Sequence, residues 1–195
     1  MSADRIVGLL LAAGSATRFG SDKLLHALPH SVPMAQQAAR HLKSRIPRVI
    51  AAVRPGADQV ARLLAAEGCE VVIADDAAEG MGASLARAAR AAGDVDGYLV
   101  ALADMPFVRP SSIAAVRDAL AAGAALAAPY FRARRGHPVG IAGRFRAQLE
   151  SLAGDEGAKK ILAAHEADLV KVPVGDPGVI RDIDTPADLA PPSRV

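Results

Sequence analysis

The chain has one cysteine, no tryptophan and few aromatics (3% of 195 residues), and these shortages narrow its class before any motif is read. Cys69 alone closes no internal disulfide and supplies no thiolate cluster for a metal, so a reducing, cytoplasmic setting is expected. It lies between Gly68 and the strand-like Glu70–Ile73, and reads as a small core residue. So few aromatics argue against an all-β core; the abundant alanine suits helices packed closely on a sheet. The apolar run Ile6–Leu11 is too short to span a bilayer and lacks the flanks and cleavage site of a signal peptide, so no membrane association is expected. A formal net charge of +2 argues against a dedicated nucleic-acid surface, which shows a clustered basic face. GxxxxGK[ST] is absent, so there is no Walker loop, and GSATRFG lacks the GxGxxG spacing of a dinucleotide fold. No internal repeat or linker breaks the chain. A single domain over residues 1–195 with a substantial core is expected.

What is present begins at Ile6–Leu11, a short apolar run that predicts a buried strand. Small residues follow it, Ala12, Ala13, Gly14 and Ser15, and leave the backbone open to a ligand. Arg18 and Lys23 come next, with Gly20 between them. Backbone N–H groups and two cations beyond a buried strand suit an anion, above all a polyphosphate. The same composition also suits a plain loop with solvated charges.

Along the chain, strand and helix alternate. Helices are predicted over Met34–Lys43 and Asp58–Glu67, the latter capped by Asp58, and strands over Val49–Val53 and Glu70–Ile73. A glycine-rich loop, Ala74–Ser84, leads to a helix over Leu85–Ala92 and a strand over Gly97–Ala103. Ser111 and Ser112 suit the cap of a helix reaching Leu120. Strands at Leu126–Tyr130 and Leu169–Val174 and helices at Phe145–Leu152 and up to His165 complete the reading. The pattern is that of an α/β fold: a doubly wound, mostly parallel sheet with helices on both faces.

Asp104 closes the Gly97–Ala103 strand and precedes Pro106, which places a carboxylate in the crevice where open α/β sheets bind ligands. His137, before Pro138, suits either a proton carrier or a residue that shapes a pocket. Asp155 suits a helix cap. Asp182 and Asp184 alternate in an extended segment and face one side, with Thr185 and Pro186 opening a terminal helical turn.

Several ordered segments together carry a resemblance. LLAAGSATRFGSDK resembles the LAAGxSxRxGxxK signature of the MobA-like nucleotidyltransferases, which include the molybdenum cofactor cytidylyl- and guanylyltransferases, with Ala16 where the family carries Ser or Gly. G-M-x-x-S at Gly80–Ser84, D-M-P at Asp104–Pro106 and DIDTPADL at Asp182–Leu189 are similar to further motifs of that family, as is G-H-P-V at Gly136–Val139. The resemblance implies a Rossmann-like nucleotidyltransferase sandwich. Nucleotide contacts are then expected from Leu11, Ala12, Ala13, Gly14, Ser15, Arg18 and Lys23, and base and ribose contacts from Gly80, Met81, Gly82 and Ser84. It also implies Arg18, Lys23 and Asp104 in catalysis, Mg²⁺ held by Asp104 and Asp182 with Asp184 close behind, and His137 beside the acceptor. Ala13 matches the LAAG of the cytidylyl branch rather than the LAGG of the guanylyl branch. The expected substrates are therefore CTP and molybdopterin, with a molybdenum hydroxylase as a further partner. A sugar- or alcohol-phosphate nucleotidyltransferase and a nucleotide- or cofactor-binding chaperone are the rival readings.

Overall fold

The computed structural model describes residues 5–14, 23–155 and 157–189; Ser15 and Arg18 lie outside these. The strands are β1 (Ile6–Ala12), β2 (Val49–Val53), β3 (Glu70–Ile73), β4 (Gly97–Leu102), β5 (Leu126–Phe131), β6 (Arg134–Arg135), β7 (Val139–Ala142) and β8 (Leu169–Pro173). The helices are α1 (Met34–Lys43), α2 (Asp58–Ala66), α3 (Met81–Ala92), α4 (Pro110–Ala121), α5 (Arg146–Glu150) and α6 (Lys159–Ala164). The strands form one mixed sheet in the order β3-β2-β1-β4-β7-β5-β6, with β8 also paired to β5. β1 to β4 are mutually parallel, β7 runs antiparallel to β4 and β5, and β8 is parallel to β5.

β1 shows why its sequence is wholly apolar. Side chains alternate across a strand, so Ile6, Leu10 and Ala12 enter the layer under α1, α2 and α4. Val7, Leu9 and Leu11 enter the opposite layer, under α3, α5 and α6. Both faces are covered, and no position faces water. The alanines act as expected: Ala86, Ala88, Ala89 and Ala92 are buried and let α3 lie close to the sheet. Gly8 does the same for α1, since a Cβ there would stand 3.0 Å from both Leu42 Cδ2 and Val49 Cγ2.

The expected elements are present with local differences. α3 starts at Met81, four residues before the predicted start, because the Gly82 N–H is held by the Gly154 carbonyl at 2.7 Å. The α2 cap is Ala57, with no side-chain bond, and Asp58 lies inside the first turn, where its charge still favours the helix dipole. At α4, Arg109 is the cap residue and Pro110 takes the first turn, so neither serine caps it. α6 begins at Lys159, beyond Asp155, so Asp155 is no helix cap. β7 is an extra strand between β4 and β5; four residues behind a His-Pro turn carry too little periodicity to reveal it. Cys69 is buried, which pushes its thiol up to about 11 and keeps it unreactive. Among the described residues no helix is long and apolar enough to cross a membrane.

Ser112 serves another purpose. Its hydroxyl donates to Asp176 Oδ2 at 2.7 Å, beside the Arg109 N–H at 2.8 Å, while Gly178 N–H donates to Oδ1 at 2.9 Å. Asp176 is only 3% exposed, so it is a buried carboxylate satisfied by three donors. It ties the start of α4 to the segment that runs on to Asp182 and Asp184. Asp176→Ala leaves those donors without an acceptor and should lower unfolding free energy by roughly 2–4 kcal/mol. Asp176→Asn, which keeps an acceptor, should cost less. Urea denaturation at constant m-value reads both.

Candidate active site

Because β1, β2 and β4 are parallel, the residues that follow them share one rim of the sheet. A cavity of about 630 Å³ opens there. Leu11, Ala12, Ala13 and Gly14 line it from β1, and Lys23 joins them from the short 3₁₀ turn Lys23–Leu25. Among the described residues nothing lies within 4 Å of where a Gly14 side chain would begin. From the far wall come Gly80, Met81 and Ser84 at the start of α3, and Asp104 stands below β4.

Two glycines of the second loop have a structural task. A Cβ on Gly80, whose φ is +122°, would lie 2.4 Å from the Gly154 carbonyl carbon and 2.5 Å from Asp155 Oδ1. A Cβ on Gly82 would lie 2.7 Å from the Ala153 carbonyl oxygen. The loop through Asp155 is therefore clamped onto the start of α3. Gly82 is spent on that contact, and the cavity is lined by its neighbours.

The polar centre of the cavity is Lys23. Its ammonium donates to Asp104 Oδ2 at 3.0 Å and to Asp184 Oδ1 at 3.1 Å. The Lys23 side chain is 11% exposed, against 28% for Asp104 and 56% for Asp184. Burial disfavours its charge, but the two carboxylates outweigh this and its pKa is raised. The meeting has a backbone cause. Ile183 N–H donates to the Asp104 carbonyl at 3.1 Å, and the Ile183 side chain is buried with Met34, Phe107 and Leu189. Residues either side of Ile183 then point away from that cluster. Asp188 fixes the far end, accepting from Thr185 N–H at 2.7 Å and Thr185 Oγ1 at 2.8 Å. Arg181 stacks 4.4 Å over the Phe107 ring and donates to the Asp188 carbonyl.

The carboxylate that shares a cation with Asp104 is thus Asp184, not Asp182. Asp182 is exposed, and its field falls on His137 instead. His137 does not line the large cavity; it borders a small recess with His41, Met105 and Pro138. Its Nδ1 is buried with no partner among the described residues. Burial pushes the imidazole pKa down, and the Val100 backbone and the charges of Asp104 and Asp182 only partly oppose this. Asp155 also lines the cavity, as do Arg54 and Asp75, which were not assigned to it from the sequence. Arg54 follows the end of β2 and Asp75 closely follows β3, the same signal that marks Asp104.

The family model described as MobA-like NTP transferase domain matches residues 8–169. The chain belongs to this family. Its nucleotidyltransferase fold is shared with solved structures. The Mycobacterium sp. strain JC1 homologue of Mycobacterium tuberculosis Rv0371c is 26% identical with a TM-score of 0.83, over 95% of this chain and 93% of that one. A manganese complex of Rv0371c from Mycobacterium tuberculosis H37Rv is 24% identical with a TM-score of 0.77, over 94% and 95%. Molybdopterin-guanine dinucleotide biosynthesis protein A from Archaeoglobus fulgidus is 21% identical with a TM-score of 0.66, over 94% of each chain. The latter two are likenesses of fold. No curated protein sequence matches the chain.

In this MobA-like site the lowered pKa of His137 has a consequence for stability. Above the ordinary imidazole value, near 6.5, folded and unfolded chains both carry a neutral ring. Below it the unfolded chain takes up a proton that the folded chain refuses, so stability falls with pH until the folded value is passed. The stability difference between wild type and His137→Gln should therefore be constant above pH ~6.5 and shift against wild type as pH drops towards about 5.5. Urea midpoints across that range check it.

Proposed function

We propose that this MobA-like nucleotidyltransferase transfers CMP from CTP to the molybdopterin cofactor and releases pyrophosphate. The observation that carries the reading is Lys23 held between Asp104 and Asp184 at the mouth of a cleft built from small residues. Such an arrangement suits phosphoryl chemistry, which needs charge neutralisation and positioning more than proton transfer. A phosphate oxygen of the acceptor bonds to the α-phosphorus of CTP, and the bond from that phosphorus to the bridging oxygen of pyrophosphate breaks. The backbone at Ala12–Ser15 cradles the phosphates, and Lys23 and Arg18 neutralise the charge on the departing pyrophosphate. Met81 and Ser84 face the base and ribose, with Gly80 and Gly82 shaping that wall. His137 shapes the acceptor side as a neutral ring. Ala13 supports the choice of CTP, and the likeness to the Archaeoglobus fulgidus protein supports a molybdopterin acceptor, whose product a molybdenum hydroxylase would receive.

The donor set fits a divalent cation. An ammonium already sits between two carboxylates from separate segments, and carboxylates with substrate phosphates are what Mg²⁺ binds. Among the described residues no group of three or more potential ligands gathers, so the protein would offer this pair and the substrate the rest. Asp104 and Asp184 would hold Mg²⁺, with Asp182 on the acceptor side; the manganese complex of Rv0371c supports a divalent ion. When bound, the ion neutralises phosphate charge that develops during transfer.

Pyrophosphate should be released only when CTP, Mg²⁺ and molybdopterin are all present. Release with a sugar or alcohol phosphate instead would move the protein to another nucleotidyltransferase class. CTP binding without turnover would make it a chaperone. Lys23→Ala should lower turnover by roughly 10²–10³ while the chain still folds. Asp184→Asn should cost far more activity than Asp182→Asn under saturating Mg²⁺; the reverse order would return the metal to Asp182.

A further inference from the structure

Lys23 stands where two carboxylates converge, and its reach is anchored from below. Leu24 is buried, which holds the backbone of the short turn, and the four-carbon stem of Lys23 has rotatable bonds enough to place its ammonium in more than one position. With Lys23 in place, Asp104 and Asp184 share one ammonium at 3.0 and 3.1 Å, and their mutual repulsion is relieved. A divalent ion entering the same gap would meet a like charge at close range in a partly buried site, where Coulomb terms are large. An anionic ligand would offer Lys23 a competing partner.

Resting on the metal and nucleotide assignment above, we propose that Lys23 is a built-in stand-in for the divalent cation. In the nucleotide-free protein it occupies the gap between Asp104 and Asp184 and excludes the metal. A triphosphate draws its ammonium onto phosphate oxygens and so opens the gap. Metal and nucleotide then bind with positive coupling, and by linkage each strengthens the other by the same factor. The device keeps two close carboxylates neutralised in the empty enzyme without committing a metal ion to a site that holds no substrate.

Mn²⁺ binding to the full chain, followed by calorimetry or by the electron paramagnetic resonance of the free ion, tests this without any turnover. In the absence of nucleotide, Lys23→Gln should bind Mn²⁺ at least about tenfold more tightly than wild type. Lys23→Arg, which retains a cation, should resemble wild type. Arg54→Gln removes a different charge from the same cavity, and should gain less than about threefold. With saturating CTP the gap between wild type and Lys23→Gln should close. Lys23→Met, which keeps the aliphatic stem, replaces the Gln variant if that one does not fold.

Equal Mn²⁺ affinity of wild type and Lys23→Gln without nucleotide overturns the inference while leaving the proposed activity intact. Equal gains in Lys23→Gln and Arg54→Gln overturn it as well, since they reduce the effect to the general field of the cleft. Absence of Mn²⁺ binding by every variant, with or without CTP, removes the metal assignment and this inference together.

Discussion

One ammonium between two carboxylates is the interaction on which this site depends. Asp104 and Asp184 come from distant parts of the chain, and neither would tolerate the other so close without a cation. Lys23 brings that cation from a third segment, the short turn Lys23–Leu25. The bridge thus gathers that turn, the end of β4 and the terminal segment at one point. Everything else described in the cleft can be read by how it brings these three together.

The sheet supplies the first part. Parallel β1, β2 and β4 send their carboxyl ends to one rim, and β1 is central because both its faces are buried. The rim is lined by Ala12, Ala13 and Gly14, which leave the backbone accessible, and faced by the start of α3. Close approaches at Gly80 and Gly82 bring the loop of Asp155 onto α3, so the far wall is built from tight backbone contacts. A larger side chain at either glycine would force that wall apart.

The terminal segment needs its own supports, because its 3₁₀ turns contribute little order by themselves. Asp176 binds it to α4 through Arg109 N–H and Ser112 Oγ, Ile183 packs beside Met34 and bonds to the Asp104 backbone, and Asp188 closes the turn through Thr185. Arg181 and Phe107 add a stacked contact between the segment and the loop beyond β4. Asp184 is held in place by this chain of contacts, each unremarkable alone.

Local pattern determined most of the fold. The apolar runs that became β1, β2 and β3, the periodic helices α1 and α2, and the carboxylate at the end of β4 were legible because strand and helix periods and strand-end placement are written in neighbouring residues. The family signature was legible for the same reason, since its motifs are short and contiguous. Tertiary structure decided what no local window holds: that β7 slips between β4 and β5, that Ser112 serves Asp176 rather than capping α4, and that Gly82 packs on Ala153. It also decided which carboxylate Lys23 bonds. Alternation puts Asp182 and Asp184 on one side of the segment, and only the folded chain brings Asp184 Oδ1 to 3.1 Å from the ammonium. A choice of that kind depends on where distant backbones lie, and so it appears only once the chain is folded.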